Sequence, residues 1–104
     1  RNYNRHGEAF SQGETFSGIP FETALDLVEP LRDQVPTGLN MAQMAMRWLL
    51  DQPAVSTVIT GASKPLQVTE NAAVSGLPPL PRELHERLAE YYRESVRPQI
   101  RVAI

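Results

Sequence analysis

Helical periodicity dominates the pattern of apolar residues after residue 20. Apolar residues at helical spacing predict a first helix over 21–34, with Pro20 at the first helical position, where its missing N–H costs nothing. Pro30 conflicts with this helix, because its ring clashes with the carbonyl group four residues back, so we expect a kink or an end there. Residues 1–20 show neither helical nor strand periodicity and are predicted to be a loop.

The clearest helix begins after Asn40, whose side chain can cap the free N–H groups of the first turn. It is predicted to end at about Asp51 or Gln52, because Pro53 disfavours helical backbone at the residue before it. Five apolar residues form one continuous face at helical spacing: Met41, Met44, Ala45, Trp48 and Leu49. We expect this face to pack in a core and not to bind a ligand, since Met fills irregular gaps between packed elements.

A short β-branched run predicts one strand in this otherwise helical chain. Val55–Thr60 lies between a proline and a glycine and is predicted to be a buried strand. One strand cannot pair its own backbone, so its partners must come from elsewhere. Further helices are predicted over 65–75 and 82–95, joined by an extended proline-rich connector at 77–81. Helix, strand and helix in succession indicate the α/β class.

Composition excludes several kinds of partner and site. The chain has 104 residues, a net charge of -2 and scattered basic residues, which argues against nucleic acid as a partner. There is no cysteine, so disulfides and thiolate metal sites are excluded, and we expect a cytoplasmic protein. No apolar run approaches the roughly 18 residues of a membrane span, so we expect no membrane partner. The start at Arg1, without Met, is typical of a fragment boundary.

Residues 42–71 read AQMAMRWLLDQPAVSTVITGASKPLQVTEN. This stretch resembles the C-terminal part of the aldo-keto reductases, where a helix containing A-Q-x-A-L-R-W precedes a strand, a phosphate-binding turn and another helix. Nine residues match that pattern in register: Gln43, Ala45, Arg47, Trp48, Gly61, Pro65, Gln67, Glu70 and Asn71. The resemblance implies the C-terminal part of a TIM (β/α)8 barrel. Residues 1–20 would be the loop after strand seven, and 21–104 the last helices and strand eight.

The turn after the predicted strand has the chemistry of an anion site. A strand that runs through Gly61 to Lys64 into a helix leaves free N–H groups at the helix start, and these groups and the helix dipole favour an anion. Small residues let a phosphate approach the backbone. The resemblance implies that this anion is the adenosine 2′-phosphate of NADP(H). It implies seven cofactor-binding residues: Gly61, Ala62, Ser63, Lys64, Gln67, Glu70 and Asn71.

The resemblance also assigns roles to these residues, and Gly61 and Ala62 would present their backbone. Ser63 would offer its hydroxyl and backbone, and Gln67 would lie against the phosphate and the adenine ribose. Glu70 and Asn71 would contact the adenine. Family members often carry additional cations in this turn, whereas this chain has only Lys64, so the choice between NADPH and NADH stays open. We hypothesise that Lys64 replaces the missing phosphate clamp.

The residues that carry out the family's reaction are not predicted in this chain. Aldo-keto reductases reduce aldehydes and ketones with a Tyr, Lys, Asp and His from the first half of the barrel, and the substrates of the complete protein would be a nicotinamide dinucleotide and a carbonyl compound. No tyrosine here lies at a strand end, and His6 and His85 lack a second ligand at metal spacing, so neither a catalytic residue nor a metal site is predicted. A barrel takes roughly 250 residues, so we expect the chain alone to be inactive.

Two other interpretations also fit the sequence. One is a helical protein-interaction or regulatory module that uses the helix after Asn40, although Arg47 is the only basic residue that this helix offers to DNA. The other is self-association of the chain through the unpaired strand and exposed apolar helix faces.

Overall fold

The computed structural model describes residues 18–101, and this part of the chain is mostly helical. The predicted loop at 1–20 therefore lies almost entirely outside the described residues. Four α-helices follow in chain order: α1 (Phe21–Val28), α2 (Met41–Leu50), α3 (Pro65–Ala73) and α4 (Arg82–Tyr91). Four shorter helical segments adjoin them: 3-10 turns at Glu29–Gln34, Val74–Gly76 and Arg97–Gln99, and a π-helical segment at Tyr92–Val96.

The chain divides into two units by its internal contacts. One unit is Gln34–His85, and the other contains the described residues on either side of it. In this flanking unit the hydroxyl of Tyr91 donates a hydrogen bond of 2.6 Å to the carbonyl of Leu27. The Nε of Arg101 donates one of 2.6 Å to the carbonyl of Gly18. Both donors bind backbone acceptors far away in the sequence, so these two bonds join the start and the end of the flanking unit.

The first predicted helix ends early, for the reason that the sequence provides. Regular α-helix stops at Val28, and Glu29–Gln34 continues as a 3-10 turn around Pro30. A 3-10 turn tolerates Pro30 because it does not require the α-helical geometry that the proline ring disrupts. Pro20 is the N-cap of α1, with an extended ψ of 139°, and not its first helical residue. The predicted conflict at Pro30 is thus confirmed, while Pro20 lies one position earlier than predicted.

Helix α2 begins as predicted, with a complete capping box. The Asn40 side chain accepts a bond of 2.8 Å from the Gln43 N–H, and the Gln43 side chain accepts one of 3.1 Å from the Asn40 N–H. The preceding turn closes with a bond of 3.1 Å from the Leu39 N–H to the Pro36 carbonyl. Gly38 has a φ of 92°, a backbone conformation that type II turns need at this position and that glycine adopts without strain.

The side of α2 that is buried differs from the prediction. Of the predicted apolar face, Met44 is buried, whereas Trp48 and Leu49 are each 38% exposed. Arg47, by contrast, is largely buried. The buried apolar side chains of the Gln34–His85 unit are Met44, Val74, Leu80 and Leu84. The expected packing of Trp48 and Leu49 is therefore wrong within the described chain, because the side of α2 that meets α3 and its 3-10 turn carries polar side chains.

The predicted strand is not formed. Val55–Thr60 has no regular secondary structure, residues 18–101 contain no β-strand, and Ile59 is 95% exposed, so a buried strand is wrong for this segment. A strand exists only through ladder bonds to a neighbour, and within the described residues no second extended segment provides them. The helices predicted over 65–75 and 82–95 are confirmed as α3 and α4, and the connector 77–81 contains no helix.

None of the helices between residues 18 and 101 combines the length and the apolar character that crossing a bilayer requires.

Candidate functional site

The turn Gly61–Lys64 leads directly into α3, which begins at Pro65. Proline suits this first helical position because its fixed φ matches the helix and it has no N–H to satisfy. Lys64 is the N-cap, with extended backbone angles of -138° and 147°. All four turn residues are exposed, so the short turn before α3 is accessible to solvent. This is the place where the sequence predicted an anion.

Three hydrogen-bond donors of the turn converge on one oxygen atom, the Oε1 of Gln67. The Ser63 N–H donates to it at 2.7 Å, the Ser63 hydroxyl at 3.2 Å and the Lys64 N–H at 3.2 Å. Backbone N–H groups that converge at a helix start are the usual way in which proteins bind a phosphate oxygen. The amide oxygen of Gln67 satisfies all three donors in this structure.

Asn71 connects α3 to the other end of the turn. Its Nδ2 donates a hydrogen bond of 3.2 Å to the carbonyl of Gly61, ten residues earlier. Gln67 and Asn71 are four residues apart and so project from the same side of α3. Through these two side chains and their four hydrogen bonds, one side of α3 holds both Gly61 and the Ser63–Lys64 pair. The structure therefore brings together five of the seven predicted residues by direct hydrogen bonds.

The two remaining predicted residues, Ala62 and Glu70, make other contacts. Ala62 and Asn71 both line a cavity of about 450 Å³, whose other walls include Met46, Leu50 and Val68. The carbonyl of Glu70 accepts a long hydrogen bond of 3.5 Å from the Nε2 of Gln43. Glu70 is thus linked to α2 through its backbone.

Gly61 leaves open space beside the turn. A β-carbon built on Gly61 meets no atom within 4 Å, and its φ lies outside the left-handed region. A glycine that is required neither by its backbone angle nor by packing leaves room for a ligand to approach the main chain. The residues present therefore fit a phosphate, because they supply several donors, a helix start and an open approach.

A second polar cluster, which was not predicted from the sequence, centres on Asp51. Its Oδ1 accepts a hydrogen bond of 3.0 Å from the Nε of Arg47, and its Oδ2 lies 2.9 Å from the Leu80 nitrogen, which donates, and 2.7 Å from the Nε2 of His85. The side chains of Asp51 and Arg47 are only 7% and 12% exposed. Burial by itself raises the pKa of Asp51, but the bonds from His85, the Leu80 N–H and Arg47 outweigh it and hold that pKa below its ordinary value.

The pairing of Arg47 with Asp51 could have been predicted from the sequence, whereas the contact with His85 could not. Arg47 and Asp51 stand four residues apart on α2, a spacing at which opposite charges meet on one helix face. His85 has no such spacing, since it is 34 residues away from Asp51 and only the fold brings the two together. Arg47, counted from sequence as the one basic residue that α2 offers to DNA, is in fact largely buried and bound to Asp51.

The proline-rich connector is folded against this cluster. Leu80 is buried and its N–H is bound to Asp51, so the run 77–81 is not presented as a free proline motif. Tyr92 is exposed, and the Tyr91 hydroxyl donates to a backbone carbonyl. Within residues 18–101, no three His, Asp or Glu side chains are grouped closely enough to hold a metal ion.

Comparison with known proteins finds a family whose sequence model matches most of this chain. The sequence model described as "Aldo/keto reductase family" matches residues 2–93. A probable voltage-gated potassium channel subunit beta of Arabidopsis thaliana is 38% identical over 53 residues, which are 51% of this chain and 16% of that protein. An uncharacterized oxidoreductase of Bacillus subtilis is 34% identical over 64 residues, 62% of this chain and 21% of that protein.

A third relative is similar in extent. A putative voltage-gated potassium channel subunit beta of Schizosaccharomyces pombe is 43% identical over 54 residues, 51% of this chain and 16% of that protein. The aligned part of the chain thus spans between 16% and 21% of the length of these three relatives. No solved structure matches the chain significantly.

Proposed function

The chain belongs to the aldo/keto reductase family, and from this premise we propose that it contributes the adenosine half of an NADP(H) site to a carbonyl reductase. In this proposal the chain forms the last part of a (β/α)8 barrel, whose ligand sites lie at the C-terminal ends of the strands. The observation that carries the proposal is the convergence of the Ser63 and Lys64 donors on the single oxygen of Gln67.

The binding chemistry follows from that convergence. A phosphate oxygen takes the place of the Gln67 Oε1 and accepts the same three hydrogen bonds, which are stronger to an anion than to a neutral amide. The dipole of α3 adds a favourable interaction with negative charge at its start. The cofactor, when bound, supplies the hydride that reduces a carbonyl compound to an alcohol. The residues of this chain bind and orient the adenosine end, while the groups that act on the substrate belong to earlier strands.

Lys64 decides between the two nicotinamide dinucleotides in this proposal. It is the only lysine of the chain and the only cation of the turn. Its ammonium group attracts the 2′-phosphate that NADPH carries and NADH lacks. An exposed charge pair contributes up to about 1 kcal/mol, so we expect Lys64 to favour NADPH by about three- to fivefold.

The first experiment measures dissociation constants of NADPH and NADH for the complete protein that contains this chain. Lys64→Ala should weaken NADPH by about three- to fivefold and leave NADH unchanged. Arg32→Ala is the matched control, since Arg32 is an exposed cation that pairs with Glu29 and is not one of the proposed site residues. An equal NADPH affinity in Lys64→Ala and wild type would show that Lys64 is not the phosphate clamp.

A second variant tests the proposed position of the anion directly. Gln67→Glu keeps an oxygen that accepts the Ser63 and Lys64 N–H groups, and a carboxylate at this position is favourable at a helix start. The protein should therefore remain folded and as stable as wild type. The fixed negative charge occupies the position proposed for the phosphate oxygen and repels the phosphate, so NADPH affinity should fall more than tenfold. Unchanged NADPH binding in Gln67→Glu would contradict the proposed site.

The second candidate function is a protein-interaction or regulatory role without catalysis. Two relatives are described as channel beta subunits, and Trp48 and Leu49 leave an apolar face of α2 partly exposed in the described chain. The NADPH measurement distinguishes the two functions, because an interaction module has no use for the donors of Ser63 and Lys64. We also propose that the 104-residue chain alone does not reduce an aldehyde; measurable turnover by it would refute this.

A further inference from the structure

We propose that Arg47 and Gln43 position helix α3 for nucleotide binding, and that Asp51 holds Arg47 in place for this task. The inference rests on the proposed function, because it concerns how the same nucleotide site is built. Neither Arg47 nor Gln43 forms a hydrogen bond with the turn Gly61–Lys64 in the described structure. Both act through α3, and they are therefore positioning residues.

Two side chains of α2 bind two backbone carbonyls of the α3 region in matching register. The Nε2 of Gln43 donates to the Glu70 carbonyl at 3.5 Å, and the Nη1 of Arg47 donates to the Val74 carbonyl at 3.4 Å. Donors and acceptors are each four residues apart, or one helical turn. The same Arg47 nitrogen also donates to the Leu77 carbonyl at 3.1 Å. α2 thus binds α3 along one turn and at its end.

The acceptors lie where a helix needs outside partners. The last carbonyls of a helix have no N–H groups within the regular α-helix to bind. The Val74 carbonyl accepts the Leu77 N–H at 3.1 Å, and the largely buried Arg47 guanidinium gives it a second, charged donor. A cation at a helix C-terminus also interacts favourably with the helix dipole. Arg47 therefore stabilises the position of the α3 end by hydrogen bonds and by charge.

Asp51 fixes the direction of Arg47. Its Oδ1 binds the Arg47 Nε, while its Oδ2 is held by the Leu80 N–H and by His85. Since the side chains of Asp51 and Arg47 are both largely buried, water does not compete freely for this pair. The carboxylate is anchored from two further segments, so the guanidinium has one favourable orientation.

The consequence for the site comes from the rigidity of a short helix. Gln67 and Asn71 lie on the same nine-residue α3 whose later carbonyls are bound by Gln43 and Arg47. The donor distances in the turn, 2.7–3.2 Å, tolerate only a few tenths of an ångström before the bonds weaken. Release of the α3 end should thus shift the helix and weaken binding of the adenosine half of the cofactor.

The test compares two ligands in the complete protein: NADPH, and reduced nicotinamide mononucleotide, which lacks the adenosine part. Arg47→Ala should raise the dissociation constant of NADPH by about tenfold and leave that of the mononucleotide within twofold. Arg47→Lys keeps the charge and should restore part of the loss. Arg32→Ala removes an exposed arginine and should change neither constant.

A second variant keeps the inference testable if Arg47→Ala does not fold. Gln43→Glu retains an oxygen that accepts the Asn40 N–H of the capping box, but it removes the amide donor that binds the Glu70 carbonyl. We expect NADPH to weaken by about two- to fivefold in this variant, since one long bond is lost, with the mononucleotide unchanged.

The outcomes separate this inference from the proposed function. If wild type binds NADPH but all Arg47 and Gln43 variants bind it equally well, the positioning role is wrong and the proposed function stands. If NADPH and the mononucleotide weaken by the same factor, these residues maintain general stability, and the inference is again overturned. If wild type shows no affinity for NADPH, the proposed function itself fails.

Discussion

Replacing Asp51 by asparagine should loosen the connector and the start of α4 without removing any side-chain bulk. Both carboxylate oxygens of Asp51 are engaged: one binds Arg47 at 3.0 Å, and the other lies 2.9 Å from the Leu80 nitrogen and 2.7 Å from His85. An asparagine offers one acceptor oxygen and one amide group. The amide donor faces the donor groups of Arg47 or of Leu80, so at least one of these contacts is lost.

The size of the effect follows from the charge and burial of the pair. A hydrogen bond to a charged group contributes about 1.5–3 kcal/mol, against about 1 kcal/mol for a neutral one. Asp51 is 7% exposed, so solvent does not replace the lost acceptor. We therefore expect the local opening free energy at Leu80 to fall by about 2 kcal/mol, which corresponds to an exchange rate about thirtyfold higher.

Amide hydrogen exchange measures this change at a single position. Pro78, Pro79 and Pro81 have no amide hydrogen, so Leu80 carries the only exchangeable amide between 78 and 81. Exchange at Leu80 is compared in wild type, in Asp51→Asn and in Glu29→Gln.

Glu29→Gln is the matched control for this measurement. It removes the same charge from a carboxylate that also binds an arginine at 3.0 Å, but Glu29 is 59% exposed, so it should leave Leu80 unchanged. Leu80 exchange in Asp51→Asn within twofold of wild type would falsify the idea that this carboxylate holds the connector.

Three further predictions follow from single contacts. Because the pKa of Asp51 is lowered, its carboxylate stabilises the fold fully above the ordinary carboxyl pKa of about 3.9 and loses this contribution as the pH falls through the lowered pKa. Protection of the Leu80 amide from hydrogen exchange should therefore drop over that pH range in wild type but stay constant in Asp51→Asn. Tyr91→Phe removes the 2.6 Å bond to the Leu27 carbonyl and should lower the unfolding free energy in urea by about 1 kcal/mol; no change would show that water replaces the hydroxyl. Gly61→Ala should leave stability within about 1 kcal/mol, since its β-carbon meets nothing within 4 Å, yet weaken NADPH; unchanged NADPH affinity would mean that phosphate stays away from this backbone.

Local signals in the sequence were sufficient for the starts of the helices and for the break at Pro30. Asn40 and Gln43 form a capping box from residues three apart, and this chemistry needs no tertiary partner. Regular α-helix ends two residues before Pro30, because the proline ring clashes with the carbonyl group four residues earlier in the same helix. The turn from Gly61 to Lys64 and the helix after it are predictable for the same reason, as is the relation of Gln67 and Asn71 on one side of α3.

Burial and pairing depend on elements far apart in the sequence. Val55–Thr60 has the composition of a strand, but composition supplies no ladder partner, and the described residues contain none. Helical spacing predicts Trp48 to be a core residue, but its side chain is 38% exposed. Spacing defines a helix face but does not determine which element will pack on it.

The sequence by itself thus determined where the helices begin and that the turn Gly61–Lys64 leads into α3, since those features depend on neighbours within four residues. Only the tertiary structure decided that Arg47 is buried and that Asp51 gathers Leu80 and His85, which are 29 and 34 residues away. The physical reason is that a buried carboxylate needs several donors at once, and a single helix cannot supply them all. The fold brings these donors to Asp51, and through Arg47 the same cluster reaches the end of the helix that begins after the turn Gly61–Lys64.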